Sequence, residues 1–290
     1  MKLGLALAGG GIRGYAHIGV LKVLEENHIP LSYISGASMG SILAALFAAG
    51  YPAQEIREAA LEVEQRFVKK KIFANPKFKI FPLYMKRKLE GLVDGGALEY
   101  EIDKLFERVS IKKIGDVKIP LCISAVDINS GRLVLFVSDK SLFPAGDDVI
   151  CIDDVDLKTA VRASSSYPVV LNPTSYKNYR LVDGGVLMNI PVAPLRRMGA
   201  DKVIAVNLVN RSRPSEARGL FDIAVRTIDI MGDAGNAALA RDADYTLDVG
   251  LDGVEVFDFG KGERCCEIGE QCAREKLDEL IEAAFLPRGI

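Results

Sequence analysis

The sequence predicts an α/β fold, helices layered on a largely parallel but mixed central sheet. Three observations carry this. Strand and helix patterns alternate through most of the chain, residues 3–8 form one continuous apolar run, and Asn129-Ser130-Gly131 separates two later strand patterns. An unbroken apolar strand is one covered on both faces, as in parallel sheets. The Asn-Ser-Gly turn signals a hairpin, so one pair of strands runs antiparallel.

After the strand at 3–8, a glycine cluster leads into a helix over 14–26, and a short strand follows at 31–35. An Ala-rich helix over 39–49 stops at Gly50, and Pro52 opens the next one. In that helix Ile56, Ala59, Ala60, Val63 and Phe67 recur at helical spacing, so one face is buried. Strands are expected at 119–126 and 133–137, a helix at 157–165, a strand ending at Val182, a helix at 194–198 and a strand at 202–209. A helix over 223–240, short strands at 245–249 and 254–257, and a last amphipathic helix over 263–285 complete the reading. With no internal repeat or low-complexity linker, 1–290 reads as a single domain.

Composition narrows the function. A chain of 290 residues, 49% hydrophobic, buries enough surface for a substantial core. A net charge of −2 argues against a dedicated nucleic-acid binder. His17 and His28 are the only histidines and lack metal-ligand spacing, so a catalytic zinc is not expected. The five cysteines form no C-x-x-C pair, which fits reduced thiols in a cytoplasmic chain. The N-terminal apolar run breaks at glycine too early for a secretory signal. The apolar stretch over 42–53, interrupted by Gly50 and Pro52, falls short of the roughly 20 residues a bilayer span needs. The expectation is a soluble protein or one peripheral to a membrane.

Charge is unevenly spread. Between Arg66 and Lys88 stand nine lysines and arginines and no acid, which leaves −11 for the rest of the chain. Phe67, Phe73, Phe78, Phe81 and Tyr84 interleave with them. One reading is a solvated face whose aromatics pack on the core. The other is a lid or interfacial segment over 66–96 that meets anionic headgroups.

Three glycine motifs carry chemistry. Gly36-Ala37-Ser38-Met39-Gly40 lies between a predicted strand and a predicted helix, the context of a nucleophile elbow. So sharp a turn crowds the backbone, hence the glycines two before and two after Ser38. It projects Ser38 Oγ from the sheet edge, beside a helix N-terminus that favours developing negative charge. Gly9-Gly10-Gly11-Ile12-Arg13-Gly14 also follows a strand. Read as G-x-G-x-x-G it matches a dinucleotide fingerprint, but the second strand ends Ile34-Ser35-Gly36 without the acid that would hold a ribose. The same glycines could present backbone N–H groups as an oxyanion hole, with Arg13 adding charge or bracing the loop. Neither histidine occupies a base position known from α/β-hydrolases, so the base is a carboxylate. Asp94-Gly95-Gly96 and Asp183-Gly184-Gly185 offer one each. Asp183 ends a buried strand, with glycines that let the chain turn behind it. Asp94 precedes a helix, where Asp is a routine cap. Asp183 is preferred.

These three blocks, with His17-Ile18-Gly19-Val20-Leu21, Ala163-Ser164-Ser165-Ser166-Tyr167-Pro168 and Gly199-Ala200-Asp201, resemble the patatin-like phospholipase family over about residues 1–210. The resemblance implies a three-layer α/β/α fold and hydrolysis of lipid acyl esters by a Ser38–Asp183 dyad without histidine, metal or cofactor. The oxyanion hole would combine the Gly9 to Gly11 loop with Met39, the residue after the nucleophile. Acyl transfer to an alcohol or hydrolysis of small esters would use the same dyad, and the dinucleotide reading is the alternative of another class. Nothing after Asn210 carries an assignable motif.

Overall fold

The computed structural model describes residues 1–70, 96–107, 111–143, 149–212, 216–217 and 219–286. Its strands are β1 (Leu3–Leu7), β2 (Tyr33–Gly36), β3 (Leu121–Asp127), β4 (Arg132–Val137), β5 (Ile150–Ile152), β6 (Thr174–Tyr176), β7 (Tyr179–Asp183), β8 (Lys202–Val209) and β9 (Tyr245–Gly250). Among the described residues they form one sheet in the order β5-β4-β3-β2-β1-β8-β9, with β7 joining β3 and β6 joining β7. From β3 to β9 the strands run parallel, and β4 returns antiparallel from the 129–131 turn. The sheet is therefore mixed and mostly parallel.

The helices are α1 (Ala16–Glu26), α2 (Met39–Ala49), α3 (Ala53–Lys69), α4 (Gly96–Glu107), α5 (Leu157–Ser164), α6 (Val192–Arg197), α7 (Leu220–Ala240), α8 (Gly262–Glu275) and α9 (Leu277–Phe285). α2 and α5 pack on β2 and β3, α6 on β1, β2 and β8, and α9 on β8. All five residues of β1 are buried, as the unbroken apolar run requires of a strand covered on both faces. The main core runs from Leu3 to Ala284, and Val170 and Leu171 form a small separate cluster.

Two expectations in the C-terminal part are corrected. Residues 254–257 form no strand, because their backbone groups are spent on other segments. The Val256 carbonyl accepts the Ile12 N–H at 3.0 Å, and the Val254 carbonyl accepts from Asn210 Nδ2 at 3.1 Å. The last helix breaks at Lys276 into α8 and α9, since α8 packs along α1 whereas α9 packs on β8. β5 and β6, three residues each, are too short to have left a periodic signal.

α1 and α8 cross almost backbone to backbone. A Cβ on Gly269 would strike the Ala16 carbonyl, and one on Gly19 would strike the Cys266 carbonyl. Gly269→Val is therefore expected to destabilise the fold by about 2 to 3 kcal/mol through overpacking. Equilibrium urea unfolding checks this; an unchanged midpoint would contradict the close approach.

Along one edge of β3, two strands meet head to head. β2 pairs parallel to its first half, with Gly36 opposite Ile123, and β7 pairs antiparallel to its second half, with Asp183 opposite Ala125. Their C-terminal ends converge with only Ser124 of β3 between the paired positions.

Candidate active site

The convergence brings Ser38 and Asp183 together. Ser38 follows β2 by two residues and sits at φ +51°, ψ −125°, a conformation that an L-residue adopts only under constraint. The elbow is pressed against the end of β1: a Cβ on Gly40 would lie 2.5 Å from the Leu7 carbonyl oxygen, and one on Gly36 would lie 2.5 Å from the Gly40 carbonyl carbon. The Ser38 N–H donates to Ser164 Oγ at 3.0 Å, and Ser41 Oγ donates to the Ser38 carbonyl at 2.7 Å.

Asp183 is 2% exposed. Its Oδ1 accepts the Gly185 N–H at 2.8 Å. Oδ2 is buried with no partner in full hydrogen-bond geometry among the described residues, yet the Ser38 hydroxyl stands close enough to act on the carboxyl. Burial pushes the carboxyl up to about 6, against the downward pull of Ser38 and of the Gly185 N–H. Gly184 lies so close to β3 that a Cβ there would strike the Ser124 carbonyl, and one on Gly185 would lie 2.9 Å from Asn189 Oδ1.

The glycine loop lines the same pocket. The Gly9 N–H is spent on the Asn189 carbonyl at 3.2 Å, so that part of the expected donor set is withdrawn. The N–H groups of Gly10, Gly11 and Met39 have no acceptor among the described residues. Gly11 has φ +56°, and a Cβ there would strike the Val256 carbonyl. Gly14 admits Met39, whose Cγ would lie 2.5 Å from an added Cβ. Arg13 is buried and braces the loop through Nε, which donates to the Gly10 carbonyl at 3.4 Å. It also faces Asp229 and Asp233 and pulls both carboxyls down against the larger upward push of burial.

His17 is buried in α1, where Nε2–H donates to the Ala8 carbonyl at 2.8 Å, and burial lowers its pKa to about 4. Asp94 lies outside the described residues, as do residues 71–95 of the basic segment. Of its described part, Arg66 pairs with the buried Glu101 at 2.8 Å and Phe67 is buried.

Sequence reasoning missed one whole wall of the site. Asp229 and Asp233 of α7 line the pocket with Ser38 and Asp183, and Tyr167 Oη donates to Asp229 Oδ1 at 2.7 Å. Two acids one turn apart on α7 were the available signal. A second cavity, about 830 Å³ with its open mouth, also begins at Ser38 and is walled by Met39, Ile42, Leu46, Val63, Phe67 and Leu105.

A strand–turn–helix serine beside a buried carboxylate on a mostly parallel sheet defines an α/β protein of the hydrolase type. The patatin-like phospholipase family model matches residues 5–196, and the chain belongs to that family of lipid hydrolases. The uncharacterized protein YqhO of Bacillus subtilis is 30% identical over 243 residues, 79% of this chain and 80% of that protein. Lysophospholipase NTE1 of Coccidioides immitis is 27% identical over 99% of this chain, which spans only 18% of the fungal protein. Mycobacterial proteins of the NTE family are matched over about half their length. In structure the fold resembles VipD from Legionella pneumophila, with a TM-score of 0.54 and 15% identity over 96% of this chain and 66% of that one.

Proposed function

We propose that the chain hydrolyses acyl esters of lipids (phospholipid, lysophospholipid or acylglycerol) with Ser38 as nucleophile and Asp183 as base. The observation that carries the reading is the constrained Ser38 beside the buried, half-satisfied Asp183 carboxylate. Ser38 Oγ attacks the ester carbonyl carbon while Asp183 takes the hydroxyl proton. The resulting oxyanion is held by the N–H groups of Gly10, Gly11 and Met39 at the elbow. The tetrahedral intermediate collapses, the alcohol leaves with the proton from Asp183, and an acyl-Ser38 ester remains. Water then gives a proton to Asp183 and attacks that ester, and the fatty acid departs as Ser38 regains its proton.

Fluorophosphonate labelling tests the assignment. The wild-type protein is expected to label, Ser38→Ala and Asp183→Asn to lose labelling, and Asp94→Asn to retain it. Loss at Asp94 with retention at Asp183 would move the base to Asp94.

The apolar cavity supports a fatty acyl chain as the group bound beyond Ser38. Filling it with Ile42→Trp is expected to lower kcat/KM for long-chain esters about tenfold or more while leaving butyryl esters nearly unchanged. A chain-length series of nitrophenyl esters measures this. An equal loss at every length would place the acyl chain elsewhere.

A further inference from the structure

α7 has two faces of opposite use. Ile228, Asp229, Gly232 and Asp233 line the pocket. On the opposite side, Leu220, Ile223, Ile230 and Met231 form a stripe at helical spacing that is 86%, 52%, 61% and 71% exposed, with Thr227 between them. Leaving so many large apolar side chains in water on one helix marks a contact surface. Among the described residues nothing covers it.

The helix that carries the stripe is also one wall of an opening. Pro168 and Val186 line the pocket from the side facing α7, and their neighbours Val169 and Leu187 are exposed, as Val186 is. Val169 holds φ +72°, a conformation costly for a β-branched residue, so the backbone is under constraint where it presents that side chain outward. Exposed apolar groups thus stand on the outer face of one wall of the pocket that holds Ser38 and beside the lining residues Pro168 and Val186 of another. A second copy of the chain seated across them would close the opening, whereas a lipid layer would supply substrate through it.

We infer that α7 and the 169 and 186–187 turns dock on a lipid surface, the helix lying in the plane of the interface. No described helix is long and apolar enough to cross a membrane, and lying flat needs only the outer stripe. The contact is apolar. Among the described residues of α7 the one arginine, Arg226, stands 3.9 Å from Glu255, and the inward carboxylates oppose anionic headgroups. Docking is therefore expected on neutral phosphatidylcholine vesicles and to be little affected by salt or anionic lipid. A contact made by the basic 66–88 segment would instead need anionic lipid and weaken in salt.

The inference rests on the lipid substrate of the proposed function, but binding is measured without turnover, in a Ser38→Ala background. Sedimentation with phosphatidylcholine vesicles is expected to show binding that falls about 100-fold in Ile230→Asp/Met231→Asp. Ile223→Asp, two turns away, should lower it by about tenfold. With Ser38 restored, the double variant should keep its melting temperature and its rate on a soluble short-chain ester. No binding to neutral vesicles, or equal binding by the variants, would overturn the docking face. So would a wild-type dimer that the double variant converts to monomer, since the stripe would then join two copies. Binding without any ester hydrolysis would instead refute the proposed chemistry and leave the docking face standing.

Discussion

Ser38→Gly is expected to abolish ester hydrolysis and to raise the melting temperature at once. Removing the proposed nucleophile should cost at least about 10⁴-fold in kcat, the scale seen when a member of a catalytic Ser set is deleted. Stability should move the other way, because Ser38 holds φ +51° and glycine adopts that region without a Cβ penalty. Relief of about 1 to 3 kcal/mol, less about 0.5 to 1 for the greater freedom of glycine in the unfolded chain, leaves a net gain of about 1 kcal/mol. The comparison belongs at pH 5, where Asp183 is protonated and loss of the Ser38 hydroxyl beside it matters least. Ser38→Ala, which keeps Cβ, should be equally inactive with no gain in stability. Thermal melts of the two variants at pH 5 decide: a glycine variant no more stable than the alanine variant would show that the elbow stores no strain.

Asp183→Asn should reverse the usual relation between a catalytic site and stability in a pH-dependent way. As the proposed base, Asp183 must be ionised, so kcat/KM for a neutral ester should fall tenfold per pH unit below about 6 and level off above it. The Asn variant should lose about 10³-fold or more and lack that limb. For stability the sign follows from a folded-state pKa raised to about 6 from 3.8. The folded protein then binds the proton more tightly than the unfolded chain does. The stability this contributes is fully present below pH 3.8, falls as pH rises, and is gone above 6. At neutral pH the buried carboxylate therefore costs about 2 to 3 kcal/mol relative to acid pH. The Asn variant escapes this, so it should melt above the wild type at pH 8 and draw level near pH 4. A gap that does not change with pH would mean that burial does not perturb this carboxyl.

The parts of the site that could be read from residue order are those where backbone meets backbone. Gly36, Gly40 and Gly184 each sit where an added Cβ would strike a main-chain carbonyl, so the packing itself demands glycine and leaves a visible pattern. What could not be read depends on groups far apart in the chain. Which N–H of the glycine loop remains open turns on the Asn189 carbonyl, which occupies Gly9 and leaves Gly10 and Gly11. Asp229 and Asp233 belong to no local motif, because only the fold turns their face of α7 toward Ser38. Likewise Val254 and Val256 alternate as a strand would, but Val256 packs against the glycine loop and the Val254 N–H turns back to the Leu251 carbonyl, so neither pairs with a strand edge. The hairpin, by contrast, was legible because Asn129-Ser130-Gly131 is a local signal; Gly131 takes φ +69° there.

The shared edge of β3 makes the site insensitive to the length of the chain between its two halves. Ser38 and Asp183 are spaced by cross-strand register, Gly36 against Ile123 and Asp183 against Ala125, and not by the segments that connect them. Connections at the 129–131 turn or beyond β5 can lengthen or shorten while Ser38 and Asp183 keep their separation. A slip of β7 by a single residue along β3 would do what no loop insertion does, since it turns the Asp183 side chain to the other face of the sheet. Variation is thus cheap in the connections and forbidden in one short ladder of three residue pairs.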